Sequence, residues 1–351
     1  MNILLTCVGR RNYMVDYFRS VLEPSGGKVF VTNSHPNAAG FASADGGFIV
    51  PSLYDPAYID SLIKICRQFE IQAIIPLYDL ELPVLAEARN RLSAKGIRAV
   101  VSSPVVINIC NDKWQTRNFL EGCGFHTPQT FLGIDSALDA LAVSEIDFPV
   151  IIKPRWGMGS IGLIEAENEM ELRFIYSKVM RIIEKSPLIN VSGYDHERMV
   201  LIQEKLSGQE YGLDVINDLQ CNYVTTFAKK KIAMRSGETD IAMTVADDDL
   251  NNLGQEIAKK LRHIANLDLD VFLTEKGTYV LEMNPRFGGG YPFSHLAGAN
   301  LPAAIISWLK NEPANSSFFE IEPNVIGCKG ILPLRLVDNP VESNTIIGSD
   351  N

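Results

Sequence analysis

No two of the six cysteines (Cys7, Cys66, Cys110, Cys123, Cys221 and Cys328) form a CxxC pair, and His35, His126, His196, His263 and His295 show no metal-binding spacing. Nothing therefore points to a disulfide framework or a zinc site, and the thiols are expected to be reduced and mostly buried. Long apolar runs are also missing, since no stretch approaches the ~20 residues of a membrane span. The start, Met1 to Gly9, is a short apolar run with no basic region before it and no small-residue cleavage site. It is expected to be a strand of a cytoplasmic protein. Positive charge is in deficit: a formal net charge of -10 argues against nucleic acid or a membrane surface as partner, while leaving room for a local basic pocket. The phosphate loop G-x-x-x-x-G-K-[ST] does not occur.

At 351 residues the chain exceeds a typical single domain, so two or three units are expected. Its first hundred residues alternate β-branched runs (2–6, 28–32, 47–50, 73–76 and 98–101) with helical patterns (11–22, 57–69 and 82–92), which is the pattern of a parallel sheet with crossover helices. Gly9, Arg10 and Arg11 open the first helix and could hold an anion, although G-x-G-x-x-G is absent from that turn. A junction is expected near Ser102-Ser103-Pro104. Beyond it the pattern gives helices over 105–110 and from 111–113 through 120, and a strand over 148–154. A helix over 170–185 has a core stripe of Leu172, Ile175, Val179 and Ile182. Strands over 199–204 and 223–229, a helix over 250–267, and a hairpin of 269–273 with 279–284 follow. The segment after Pro313 reads as partly irregular, with strand-like 325–336 and a loose end over 346–351.

Two stretches carry chemistry. Lys153 closes an apolar strand and is followed by a loop with Gly157, Gly159 and Gly162, whose amides can approach phosphate oxygens while the lysine supplies a point charge. Further on, Glu282 and Asn284 lie two apart in a strand, so both point to one face and can share a hard cation through oxygen. Arg286 follows, and Gly288, Gly289 and Gly290 let the backbone approach a ligand closely.

The order of these motifs, with Gln203-Glu204-Lys205-Leu206, then Gly208-x-Glu210-x-x-x-Asp214-Val215, then Glu282-x-Asn284-Pro285-Arg286, resembles the ATP-grasp superfamily from about residue 109 to 310. Within it, Arg286 to Pro292 and Ser294 to Asn300 resemble carbamoyl-phosphate-synthase-like carboxylate–amine ligases. The resemblance implies an α/β chain: a Rossmann-like pre-ATP-grasp domain (1–108), a two-lobed ATP-grasp fold (109–310, with a nucleotide lobe about 113–200 and a ligase lobe about 201–310), and a C-terminal extension (311–351). It implies that Lys113 and Lys153 contact nucleotide phosphates under a loop of Gly157, Gly159, Ser160 and Gly162. Gln203, Glu204, Lys205 and Leu206 would line the adenine pocket, and Glu210 would accept from the ribose. ATP and Mg²⁺ (or Mn²⁺) are the implied cofactors, with Asp270, Glu282 and Asn284 as metal ligands. Asp268 competes with Asp270 for that register, and Asp270 is favoured because Val271 to Leu273 continue a strand directly after it.

The implied chemistry is attack of a small carboxylate on the γ-phosphate, then displacement of phosphate from the acyl-phosphate by an amine. Arg286, Arg235 and Lys153 would serve catalysis. Residues 229–240 fit a loop over the acyl-phosphate site, in which Lys229, Lys230 and Lys231 read as a solvated basic turn and Arg235 as a ligand for substrate carboxylate or phosphate. His295, Arg10 and Arg11 stay open as substrate contacts. A homodimer accords with the family, without a sequence feature that fixes it. Carboxyphosphate chemistry on bicarbonate and a non-catalytic ATP-binding module are the competing readings.

Overall fold

The computed structural model describes residues 1–336 and 340–343, so the expected loose end over 346–351 lies outside the described residues. The strands are β1 (Asn2–Thr6), β2 (Val29–Asn33), β3 (Gly46–Ile49), β4 (Ile71–Pro76), β5 (Arg98–Ala99), β6 (Thr130–Leu132), β7 (Val150–Pro154), β8 (Ile164–Ala166) and β9 (Val200–Glu204). They continue with β10 (Gln209–Asn217), β11 (Tyr223–Arg235), β12 (Glu238–Val245), β13 (Ala265–Thr274), β14 (Gly277–Asn284), β15 (Ile326–Cys328) and β16 (Val341–Glu342). They form three sheets in the orders β16-β3-β2-β1-β4-β5, β6-β9-β7-β8 and β14-β13-β10-β11-β12-β15. The first is parallel and the other two antiparallel.

β1 and β2 are apolar along their length because both faces of the parallel sheet are covered. One face packs on the helices Tyr58–Gln68 and Leu82–Ser93. The other packs on Met14, Val15 and Phe18 of the helix Asn12–Leu22, and that core continues into Phe287, Tyr291 and the helix Leu301–Leu309. The first unit and the third sheet thus share one core. The second sheet closes on the helices Ile134–Ala142 and Glu169–Glu184. The third takes the helices Pro104–Asn111, Lys113–Gly122 and Asp248–Leu261 on one face.

Four expectations are corrected. The helix predicted over 250–267 stops at Leu261, where Arg262 turns left-handed at φ 57°, and Leu267 instead lies on β13 opposite Val215. In the helix Glu169–Glu184 the core stripe ends at Ile183, four residues after Val179, and Ile182 is only half-buried. Of the cysteines, Cys66 and Cys110 are buried, Cys7, Cys123 and Cys221 partly so, and Cys328 is exposed. Residues 325–336 give only the short strand β15, which extends this chain's own third sheet, while β16 returns to pair with β3.

His263 sits fully buried behind β10, with Nε2 donating to the Val215 carbonyl at 3.0 Å and Nδ1 facing the Asn217 amide nitrogen at 3.5 Å. That amide can only donate, so Nδ1 must accept, and burial pushes the imidazole pKa from its ordinary 6.5 down to about 4. Between those values the unfolded chain takes up a proton that the folded chain refuses. Stability therefore rises with pH across the window and is lost as pH falls through it, by about 3 kcal/mol at most. Denaturant titrations from pH 4 to 7 are expected to show that slope, and His263→Gln, which keeps the donor to Val215, is expected to flatten it.

Candidate active site

The β13–β14 hairpin places Asp270 directly across from Glu282, and Asp268 across from Asn284. With a side-chain period of two, these four oxygen-bearing groups share one sheet face. The two aspartates are held differently. Asp268 accepts from Arg286 at 2.8 Å, whereas Asp270 accepts from Lys231 at 2.7 Å, and Lys231 also reaches Glu210 at 2.7 Å. Arg286 is further held by Asp79, from the turn after β4, at 2.9 and 3.0 Å. The geometry of such a clamp lies in the fixed fork of the guanidinium, which meets carboxylates on two sides.

The second sheet supplies the opposite wall. Lys153 is 4% exposed and donates to Gln203 Oε1 at 2.7 Å, and Gln203 in turn donates to Thr130 Oγ1 at 2.8 Å. Lys113 donates to the Gly157 carbonyl at 2.6 Å and lies 3.4 Å from Glu282. It therefore joins the glycine loop to β14. Asp112 caps the helix that Lys113 begins and grips Arg155 at 2.7 and 2.8 Å, while the Arg155 guanidinium stacks over Trp156. This fixes the base of the loop. Its tip touches the β11–β12 turn, because a Cβ added at Gly237 would lie 2.6 Å from the Gly159 carbonyl. A cavity of about 590 Å³ opens beside this contact, bounded by Asp79, Asp112, Trp156, Met158, Glu282 and Asn284.

Electrostatics follow from burial and pairing. Burial, aided by repulsion from Lys113, pushes Lys153 down to about 8. Burial works against charge on Glu282, but Lys113, Lys153 and Arg286 outweigh it and hold the carboxyl below its usual range. Asp270 is pushed up to about 7 by burial and by Asp268 and Glu210, against the pull of Lys231. Among the described residues no group of three or more His, Cys, Asp or Glu is arranged to hold a metal alone. Asp270, Glu282 and Asn284 offer two carboxylates and one amide oxygen, the hard, incomplete donor set that suits Mg²⁺ whose remaining positions are filled by phosphate oxygens and water.

The other predicted residues lie as follows. Glu204 ends β9 and accepts from the Gln129 amide at 2.9 Å, Lys205 pairs with Glu165 at the surface, and Leu206 is half-buried in the link to β10. Ser160 and Gly162 lie in the loop after β7, with left-handed backbones at φ 56° and 71°. Arg235 is bound to Asp240 and donates to the Lys329 carbonyl at 3.1 Å. His295 stacks on Tyr17, ring centroids 3.7 Å apart. Arg10 is exposed, while Arg11 donates to the Phe287 carbonyl at 2.7 Å.

Residues 229–240 are two strands and a tight turn, not a loop. Nor are the three lysines a solvated turn. Lys229 is 2% exposed and bound to Asp214 and Ser294, and Lys231 is buried between Glu210 and Asp270. Sequence reasoning also missed Asp79 and Asp214. Strand alternation through Lys229, Lys231 and Ala233 was the signal for the lysines; for Asp79, in the turn after another sheet, there was none.

Comparison with known proteins accords with this geometry. Residues 3–100 match a PylC-like N-terminal domain, and residues 110–290 match the ATP-grasp domain. That second match spans more than half of the chain, which belongs to the ATP-grasp family. By sequence it is 23% identical over 280 residues to the carbamoyl phosphate synthase large chain of Campylobacter jejuni, covering 76% of this chain and 24% of that one. The chain thus spans about a quarter of the length of the relatives it matches by sequence. Its fold is similar to the biotin carboxylase domain of the Hydrogenobacter thermophilus 2-oxoglutarate carboxylase, solved with MgADP and bicarbonate (TM-score 0.73, 18% identity, 93% of this chain and 73% of that chain). It is also similar to the L-amino acid ligase of Bacillus licheniformis (TM-score 0.70, 18% identity, 95% and 81%). No helix among the described residues is long and apolar enough to cross a membrane.

Two outcomes are expected from these contacts. Asp214→Leu strands the buried Lys229 charge and should cost about 3–5 kcal/mol, while adding Lys229→Met should recover only part of that loss in a denaturant double-mutant cycle, because Asn266 and Ser294 stay without their acceptor. Gly237→Ala forces a side chain into a left-handed position at φ 78° and against Gly159. It is expected to cost at least about 1–2 kcal/mol of stability for the strained backbone, read in a denaturant titration.

Proposed function

We propose that the chain is an ATP-dependent carboxylate–amine ligase. It would activate a small carboxylic acid as an acyl-phosphate and transfer the acyl group to an amine, releasing ADP and phosphate. The observation that carries the reading is the convergence of Lys113, Lys153 and Arg286 on the face that bears Asp270, Glu282 and Asn284. Cations for a polyphosphate and hard oxygen ligands for its metal meet there under a glycine loop.

In this reading residues 113–200 form the nucleotide lobe and 201–310 the ligase lobe, after an N-terminal domain of 1–108. Lys113 and Lys153 bind the phosphates, the loop from Gly157 to Gly162 excludes water, and Gln203, Glu204, Lys205 and Leu206 face adenine with Glu210 at the ribose. Asp270, Glu282 and Asn284 would hold Mg²⁺, which neutralises phosphate charge. Arg286, fixed by Asp79 and Asp268, is oriented toward charge developing on the transferred group. No protein nucleophile is needed: the acid's carboxylate attacks phosphorus and the amine attacks the carbonyl carbon. Arg235, tied to Asp240, would have to exchange that partner to bind substrate.

The test is Mg²⁺-dependent ADP release over a matrix of carboxylic acids against amino acids and ammonia, with Glu282→Gln as the blank. Release that needs both an acid and an amine, and falls at least a hundredfold in the variant, is expected. Release with bicarbonate alone would transfer the assignment to carboxyphosphate chemistry. ATP binding with no release above the blank for any pair would overturn the ligase and leave a nucleotide-binding module.

A further inference from the structure

Resting on that reading, a second charged constellation surrounds the turn from Phe287 to Gly290, just past Arg286. Arg11 and Arg286 donate to the same Phe287 carbonyl, at 2.7 and 3.3 Å, which sets two guanidiniums side by side. They are not equivalent. Arg286 is engaged by two carboxylates, whereas Arg11 has no carboxylate partner among the described residues and keeps donors free. On the other side of the turn Glu238, at the start of β12, pairs with Lys329 at 3.0 Å. Both lie against Gly289, where an added Cβ would come within 3.4 Å of the Glu238 carboxyl carbon and of Lys329 Nζ. Asp268 comes much closer to Gly288, where an added Cβ would lie 2.1 Å from its carboxyl carbon, so glycine is needed there. Tyr13 lies in the field of Arg11, Glu238, Arg286 and Asp268, and its hydroxyl makes no hydrogen bond to a described residue.

We propose that the amine substrate carries its own carboxylate and is bound here as a zwitterion: an amino acid, its carboxylate on Arg11 and the Tyr13 hydroxyl, its ammonium on Glu238. Lys329 already presents that chemical group, an ammonium at hydrogen-bond distance from the same carboxylate. Glu238 is 52% exposed at its side chain and Lys329 23%, so the pair is open to exchange with a ligand arriving from solvent. The charge pattern is selective. A diamine meets Arg11 with the wrong sign, and a dicarboxylate meets Glu238 with the wrong sign, while an amino acid satisfies both. The adjacent Arg286 puts the bound amine beside the group proposed to stabilise phosphoryl transfer.

The experiment is thermal-shift and calorimetric titration of the full chain, with a non-hydrolysable MgATP analogue, against the twenty protein amino acids. Each binder is then compared with its decarboxylated amine and its deaminated acid; for alanine these are ethylamine and propionate. At least one amino acid is expected to bind at least tenfold more tightly than both truncated partners. Arg11→Gln and Glu238→Gln are each expected to lose roughly tenfold, Arg11→Lys to recover part of it, and Lys329→Met to tighten binding severalfold by removing the competitor. Unliganded melting temperatures check that the variants fold. The proposal is overturned if no amino acid binds, if the truncated amine binds as well, or if Arg11→Gln changes nothing. Because the readout is binding, it stands apart from turnover. ADP release driven by a carboxylate-free amine and indifferent to Arg11 would sink this proposal and keep the ligase, whereas amino-acid binding without ADP release would do the reverse.

Discussion

The rest of the site depends on how Arg286 is held. Its guanidinium is buried between Asp79, which belongs to the first sheet's connections, and Asp268 on β13, and its carbonyl accepts from Asn266 at 3.2 Å. Asn266 also donates to Asp214, which is bound to Lys229 and to Ser294 at 2.6 Å. One polar network therefore runs from the N-terminal unit through β13 and β10 to the helix after the glycine turn. Buried charges are costly unless paired and hydrogen-bonded, and here nearly every member has partners on two elements. Such a network constrains relative position more than it adds net stability. It fixes where Arg286 points, and it registers the first unit against the third sheet within the core they share.

The same reasoning applies to the other charges of the site. Lys113 lies against Glu282, and Lys231 against Asp270 and Glu210. These cations and carboxylates are each other's partners. Under the proposed function, a nucleotide carrying its metal would offer both sets a new partner in one event, so the desolvation already met in folding would not be incurred again on binding. Either component alone would leave one half of the pairs broken and uncompensated. Under the proposed function, metal and nucleotide would therefore be taken up together.

What the sequence disclosed divides along a physical line. Elements defined by local period were legible: β1 was read to the residue, and the helix Leu82–Ser93 to within one. The glycine loop and the Glu282-to-Arg286 run were legible because their chemistry depends on residues close in the chain. Lys229 and Lys231 were misread because three adjacent lysines suggest one solvated block, whereas a strand sends the first and third inward and the second aside. Their carboxylate partners come from β10 and β13, and no local pattern encodes that approach. Asp79 was invisible for the same reason, lying 207 residues from Arg286 along the chain. β16, two residues long, exists only because β3 offers an open edge for it. The helix end at Leu261 was misplaced because Arg262 adopts a left-handed backbone that glycine or asparagine would ordinarily announce.

The division has a consequence for specificity. The residues proposed to handle ATP lie within a few local motifs, so they can be read in order along the chain. Those proposed to choose the acceptor, Arg11, Tyr13, Glu238 and Lys329, come from the first helix, the start of β12 and the segment after β15, and meet only around the turn at Phe287 to Gly290. None is demanded by the phosphate chemistry, although Arg11 shares the Phe287 carbonyl with Arg286. A fold arranged in this way can keep its activation step fixed while exchanging what it joins.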